Sequence, residues 1–266
     1  MSNEKPFDLV EIHNRLELLE GKLRHTIEKS CLNVVRQLEN FQQLHSLIGD
    51  IPADLHGWPL SADVSLFLVR LVLQNRYSFI VEFGSGTSTY ILLEALAKSS
   101  LRPSHASNSP IMLVYEHLSE YFQKTSILVE HCTSRKHCVL SLSPLESWSD
   151  ATGNYFYYSK TDQIRTFATV LKRKRKFPLK KVLVLVDGPP GATGRWARYP
   201  ALPIILDSLN GCRVSVDLVL DDTLRKDEQE VIAAWIDILK VHGFDYTLST
   251  LPFEKGAALL SFSTFQ

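Results

Sequence analysis

Two glutamates, three aspartates and a pair of arginines stand in this sequence where side chains of their types could do chemistry. Glu82 closes an apolar run and is followed by Gly84 and Gly86 in "VEFGSGTST", ahead of a helix-forming segment that opens at Thr87. Glycines at such a turn remove side chains where a ligand must press on backbone, and the free N–H groups of the helix start point to the same place. A carboxylate beside that turn disfavours a bound pyrophosphate and favours a ligand with a cationic portion. The dinucleotide fingerprint is also incomplete, because Thr89 occupies its third glycine position. Glu116 ends the next apolar run, "IMLVYE", where a carboxylate is placed to accept hydrogen bonds from both hydroxyls of a ribose.

A second group of acids ends two later runs: Asp187 in "VLVLVD", and Asp221 with Asp222 in "VDLVLDD". Together they form an all-oxygen set suited to Mg²⁺ or a similar hard cation. The alternative is that Asp222 caps a helix starting near Leu224 and Asp221 is a loop acid. Arg195, Arg198 and Tyr199 offer donors to an anionic or hydroxyl-bearing acceptor, with Trp196 as a stacking surface. Equally, arginines at a helix start face water and a single tryptophan belongs to a core.

These residues need a scaffold that brings strand ends together. Strands are expected at 79–83, 111–116, 137–142, 182–187, 214–221, 244–249 and 257–263. Helices are expected between most of them, at 87–98, 119–132, 162–174, 199–209 and 224–242. Strands alternating with helices imply βαβ units and a doubly wound, mainly parallel sheet, with the last two strands adjacent. "SSLRPSHASNSP" (99–110) and "SLSPLESWSDATGNYFYYSK" (141–160) read as long loops. The basic cluster 172–176 reads as a solvated helix end.

Ahead of this domain, apolar residues recur from Ile12 through Leu16, Leu19, Leu23 and Ile27 to Ile48 with no proline, which predicts one long or two consecutive amphipathic helices. That stripe either packs on the main domain or forms a homodimer through a coiled coil. "GDIPADLHGWPLSAD" (49–63) marks the linker. The resulting division is a helical extension over 1–50 and an α/β domain over 51–266.

The 266 residues carry 29 basic and 29 acidic side chains, so no whole-molecule field draws the chain to nucleic acid or to an anionic membrane. Four scattered cysteines without a CxxC pair fit reduced thiols, and no apolar run is long enough to span a bilayer. A cytoplasmic location is expected.

"VEFGSGTST" followed by "VYEH" resembles motifs I and II of the class I S-adenosylmethionine-dependent methyltransferases. "VLVLVDGPPGATGRWARYPALPIILDSL" and "VDLVLDDTLRKDEQEVIAAWI" are similar to bacterial members of that superfamily, and the likeness runs from "LHGWPLSAD" to "EKGAALL". The resemblance implies a Rossmann-like methyltransferase fold with a seven-stranded, mainly parallel sheet. It implies S-adenosylmethionine as cofactor and a small hydroxylated acceptor, with sugars or glycan precursors among the candidates. Glu82, Gly84, Ser85, Gly86 and Thr87 would then surround the methionyl and ribosyl parts, and Glu116 would take the ribose hydroxyls. His117 and Leu118 would flank the adenine, with Leu142 on its other face. Asp187 would face the sulfonium, and Asp187, Asp222 and Arg195 would carry the acceptor chemistry. A metal held by Asp187, Asp221 and Asp222 would resemble that of catechol-type O-methyltransferases, although Pro190 stands where that family has a lysine. The competing readings are a nicotinamide-dependent oxidoreductase on a related fold and a non-catalytic binding or scaffold protein.

Overall fold

A computed structural model describes residues 9–51, 60–100, 111–173 and 181–265. Much of the 49–63 linker, most of the 99–110 loop and the end of the basic cluster lie outside the described residues. The elements in chain order are α1 (Leu9–Ile48), α2 (Ala62–Gln74), β1 (Phe79–Phe83), α3 (Thr87–Ser100), β2 (Ile111–Glu116), α4 (Ser119–Glu130) and β3 (Cys138–Leu142). Then come β4 (Leu145–Asp150), β5 (Gly153–Tyr158), α5 (Asp162–Arg173), β6 (Lys181–Val186), α6 (Ala201–Ser208), β7 (Ser215–Asp221), α7 (Lys226–Val241), β8 (Tyr246–Leu251) and β9 (Ala257–Ser263).

Seven strands form one sheet in the order β3-β2-β1-β6-β7-β9-β8. All neighbours are parallel except β9, which runs antiparallel to both β7 and β8. The chain builds outward from β1 to β3 and then returns to lay β6 on the other side of β1. The β1/β6 border is therefore the switch point, where the loops leaving the carboxyl ends diverge and leave a crevice.

Strand composition explains the layering. In β1 all five residues are buried, as expected of a parallel strand covered on both faces. Phe79, Val81 and Phe83 join Val182, Val184, Val186 and the α5–α7 side. Ile80 joins Leu183, Leu185 and the side formed by α2, α3 and the end of α1. The odd–even alternation thus loads a separate core on each face. Trp235 of α7 is fully buried, and its indole N–H donates to the Tyr199 carbonyl at 2.8 Å, tying α7 to the start of α6.

One expectation fails here. The stretch 141–160 is not a loop: β4 and β5 pair antiparallel from Leu145–Tyr158 to Asp150–Gly153. Serines and acids break the apolar alternation of β4, which hid it. The turn is closed by the Asp150 carboxylate, which accepts the Thr152 N–H at 2.8 Å, and by Gly153 at φ +155°. The N-terminal stripe forms a single helix, α1, of 40 residues.

Candidate functional site

The loops leaving β1, β2 and β6 are joined by backbone hydrogen bonds at the switch point. The Asp187 and Gly188 N–H groups both donate to the Phe83 carbonyl, at 2.9 and 2.7 Å, and the Gly84 N–H donates to the Tyr115 carbonyl at 3.0 Å. Gly84 takes φ +99°, and a Cβ there would lie 3.1 Å from the Gly188 nitrogen, so the two loops meet only because this residue is glycine. Ser85, Gly86 and Thr87 continue the bend into α3, and the Gly86 N–H turns to the Thr89 hydroxyl at 3.2 Å.

Glu82, expected near the cationic end of the cofactor directly or through water, is turned to the start of α3. Its side chain lies beneath the turn with no exposed surface. The Ser88 hydroxyl donates to one carboxylate oxygen, and the Thr89 hydroxyl to the other at 2.8 Å. Burial pushes its pKa up to about 8 against the opposing effect of those hydroxyls, with Asp187 and Glu116 adding to the rise. Glu82 therefore braces the start of α3. Sequence spacing could not show this, because it does not fix which way the last strand residues point relative to Ser88 and Thr89.

Glu116 is treated differently. One oxygen accepts the N–H groups of His117 and Leu118 at 2.7 and 2.8 Å, and the other accepts the Ser85 hydroxyl at 2.9 Å. Ser85 also meets the Thr125 hydroxyl at 2.9 Å. Burial alone would raise the pKa of Glu116, but His117, the Leu118 N–H and Ser85 outweigh it and hold the carboxyl below its ordinary range. An ionised carboxylate is thus fixed beside the glycine bend. His117 Nδ1 stands 3.2 Å from it without hydrogen-bond alignment. Leu142 is the β3 register partner of Glu116, so the expected cofactor set from Ser85 to Leu142 shares one end of the sheet.

At the β6 and β7 ends, Asp187, Asp221 and Asp222 each bring a carboxylate oxygen within 4.8 Å of the others. Asp222 has φ +62°, an uncommon backbone for a residue with a side chain, and the bend turns its carboxylate to the cluster. Burial, then Asp221, raise the pKa of Asp187; burial, then Asp222, raise that of Asp221. The centre of the group is a guanidinium. Arg198 is 3% exposed and donates to the carbonyls of Asp187 and Asp221 at 2.7 and 2.9 Å and to the Asp222 carboxylate at 3.0 Å. Its Nη2 lies 3.6 Å from Asp187 Oδ1, and Arg225 reaches Asp222 from outside at 3.0 Å.

These three carboxylates are the metal set expected from the sequence, and Arg198 competes with a cation for them. An ion shared by the three aspartates would lie against Arg198, a fixed like charge that already holds the Asp222 oxygen and two carbonyls. Arg195 departs from expectation. It is largely exposed, pairs with Glu230 at 2.9 Å and lies over the Trp196 ring, outside the carboxylate group. Trp196 donates to Glu230 at 2.8 Å, and the buried Tyr199 donates to Asp150 at 2.8 Å, so both aromatics hold structure together.

The sequence reading assigned Tyr157 and Tyr158 no role in the site, and β5 carries them to this edge. Tyr158 packs on Phe83 and meets the His117 ring edge-on, and its hydroxyl fills the space a Cβ on Gly188 would need, 2.2 Å away. Among the described residues, the buried polar atoms without a hydrogen-bond partner are Tyr115 Oη, His117 Nδ1, Tyr157 Oη, Tyr158 Oη, Asp221 Oδ1 and Glu228 Oε2. All belong to elements meeting at the carboxyl edge, and unsatisfied buried groups of this kind call for a functional explanation. The visible signal was "YFYY" directly before a helix.

No protein-family model matches the sequence, and no curated protein matches it. Solved structures do resemble it in fold. A human methyltransferase 10 domain containing protein is 14% identical, over 86% of this chain and 95% of that one, with a TM-score of 0.51. The delta-N METTL16 MTase domain is 12% identical, over 85% and 93%, with a TM-score of 0.51. An O-methyltransferase from Bacillus cereus in complex with SAH is 12% identical, over 85% and 89%, with a TM-score of 0.49. The strand order and the first two of these likenesses agree: the chain has the Rossmann-like methyltransferase fold, with α1 added at its N-terminal end.

Proposed function

We propose that this protein is an S-adenosylmethionine-dependent methyltransferase that acts on a small hydroxylated acceptor. The observation that carries the reading is Glu116, a buried carboxylate kept ionised at the end of β2 and hydrogen-bonded to Ser85 of the glycine bend. The residues fit the cofactor: a Cβ at Gly86 would meet nothing within 4 Å, so backbone there is open to approach. The orphaned polar atoms nearby ask for partners.

When bound, S-adenosylmethionine supplies an electrophilic methyl group on a sulfonium for in-line displacement. Glu116 and Ser85 are assigned to the ribose hydroxyls, and His117, Leu118 and Leu142 to the adenine. Asp187, partly exposed and with raised proton affinity, is assigned to accept the proton of an acceptor hydroxyl. Arg198 holds Asp187 and Asp222 in place and limits the charge the cluster must bear. No metal enters this scheme.

Calorimetric titration with S-adenosylhomocysteine, with NAD as control, tests the reading. Heat is expected from the first ligand alone, and Glu116→Ala should lose about 1.5–3 kcal/mol of binding free energy, the scale of hydrogen bonds to a charged group. Binding of NAD instead, or of neither ligand, overturns the proposal.

A further inference from the structure

Among the described residues, α1 joins the domain through its second half, from Asn33 onward. Leu44 and Ile48 are buried, while every residue from Leu9 to Leu32 is exposed. Along that exposed stretch Leu9, Ile12, Leu16, Leu19, Leu23 and Ile27 recur at spacings of three and four, with all but Ile12 more than half exposed. This is one continuous apolar stripe, and it leads into the side of the helix that the domain covers further on. In proteins most helical stability comes from packing of an amphipathic face rather than from propensity. A patch of this kind is a docking surface.

We propose that the occupant is a second copy of this chain, laid antiparallel on this stretch as a two-stranded coiled coil. Charge supports this choice. Residues 9–20 carry Glu11, Glu17, Glu20 and Arg15, a net of −2, whereas residues 21–30 carry Lys22, Arg24, Lys29 and Glu28, a net of +2. Antiparallel copies that pair Leu16 with Leu19 set Glu11 opposite Arg24 and Arg15 opposite Glu20, whereas parallel copies set each acid and each base opposite its own kind. Space supports it as well: beyond this stretch the helix is committed to its own domain, through Gln37 to Asp63 at 2.7 Å and through Leu44 and Ile48. A parallel copy would need that same side of the helix for its own domain, whereas antiparallel domains lie at opposite ends.

The stripe pairs well in this direction, with Leu16 opposite Leu19 and Ile12 opposite Leu23 of the second copy. Burying a Leu or Ile removes on the order of 100 Å² from water. Six such residues on each copy then remove on the order of 1,000 Å², the threshold for a specific interface. None of the stripe residues belongs to the carboxyl-edge cluster, so the interface stands whether or not the proposed reaction does.

Light scattering of the full chain at micromolar concentration tests it. The expected mass is twice 30.2 kDa. Leu16→Glu with Leu23→Glu should return it to one copy, with the melting of the α/β domain retained. A monomeric wild type, a larger assembly, or a dimer that survives both substitutions overturns the proposal. Direction is read in a Cys31→Ser background, since Cys31 is an exposed free thiol. Leu16→Cys and Leu19→Cys chains should form a disulfide when mixed and not when alone, and self-crosslinking of Leu19→Cys overturns the antiparallel arrangement.

Discussion

The two halves of the sheet's carboxyl edge solve the same problem in opposite ways. On the β1–β2 side each buried glutamate is answered by neutral donors: Ser88 and Thr89 for Glu82, and Ser85 with two backbone N–H groups for Glu116. On the β6–β7 side Asp187, Asp221, Asp222 and Glu228 crowd around Arg198 and Arg225, so acids outnumber the cations that touch them. In the first half both carboxylates are satisfied by neutral donors, and the second keeps a residual demand for positive charge or for a proton. That asymmetry suits a ligand whose neutral, hydroxyl-bearing part lies on one side and whose reacting centre lies on the other.

The largest expected effect comes from removing the cation that makes the second half tolerable. Arg198→Ala leaves several buried carboxylates uncompensated and should cost about 3–5 kcal/mol of folding stability in urea titration. Arg195→Ala, three residues away but exposed, should stay within about 0.5 kcal/mol. Equal losses would erase the distinction between the two arginines. The first half is probed by pH. Glu82 has an ordinary pKa of 4.5 and is raised by burial to about 8, so the folded state binds its proton more tightly than the unfolded state. Its contribution to stability is complete below pH 4.5, declines as pH rises, and is gone above about 8. At about 1.4 kcal/mol per unit this amounts to a few kcal/mol. Glu82→Gln should therefore flatten part of the fall in melting temperature between pH 5 and 8.5. Asp187 and Asp221 act in the same direction, so a variant with the wild-type slope would show that they alone set it.

Much of the first half was legible in the sequence, because apolar runs ending in an acid and followed by glycine mark strand, tip and turn at once. The second half was legible only as a set of acids. Which arginine serves them depends on a backbone reversal at Trp196, φ +55°, that no periodicity announces. It leaves Arg195 with Glu230 on the surface and carries Arg198 under the Asp187 and Asp221 carbonyls. The β4–β5 hairpin was missed for a related reason. Its exposed strand carries serines and acids, and what holds it in place comes from afar, as in the Tyr199 bond to Asp150. Local pattern reports local burial, and these features are buried by partners distant in sequence.

The smallest expected effect tests whether the halves are connected. Tyr158 stands between them, its ring against His117 on one side and its hydroxyl over Gly188 on the other. That hydroxyl is buried without a partner, and removing an unsatisfied group costs nothing where removing a satisfied one costs about 1 kcal/mol. Tyr158→Phe should leave urea stability unchanged or slightly higher, while S-adenosylhomocysteine affinity falls about tenfold through loss of one donor, roughly 1.4 kcal/mol. A loss of stability with unchanged affinity would mean the hydroxyl serves the fold. Both quantities unchanged would mean that the hairpin closes the edge by shape alone, and the two halves would then meet the ligand independently.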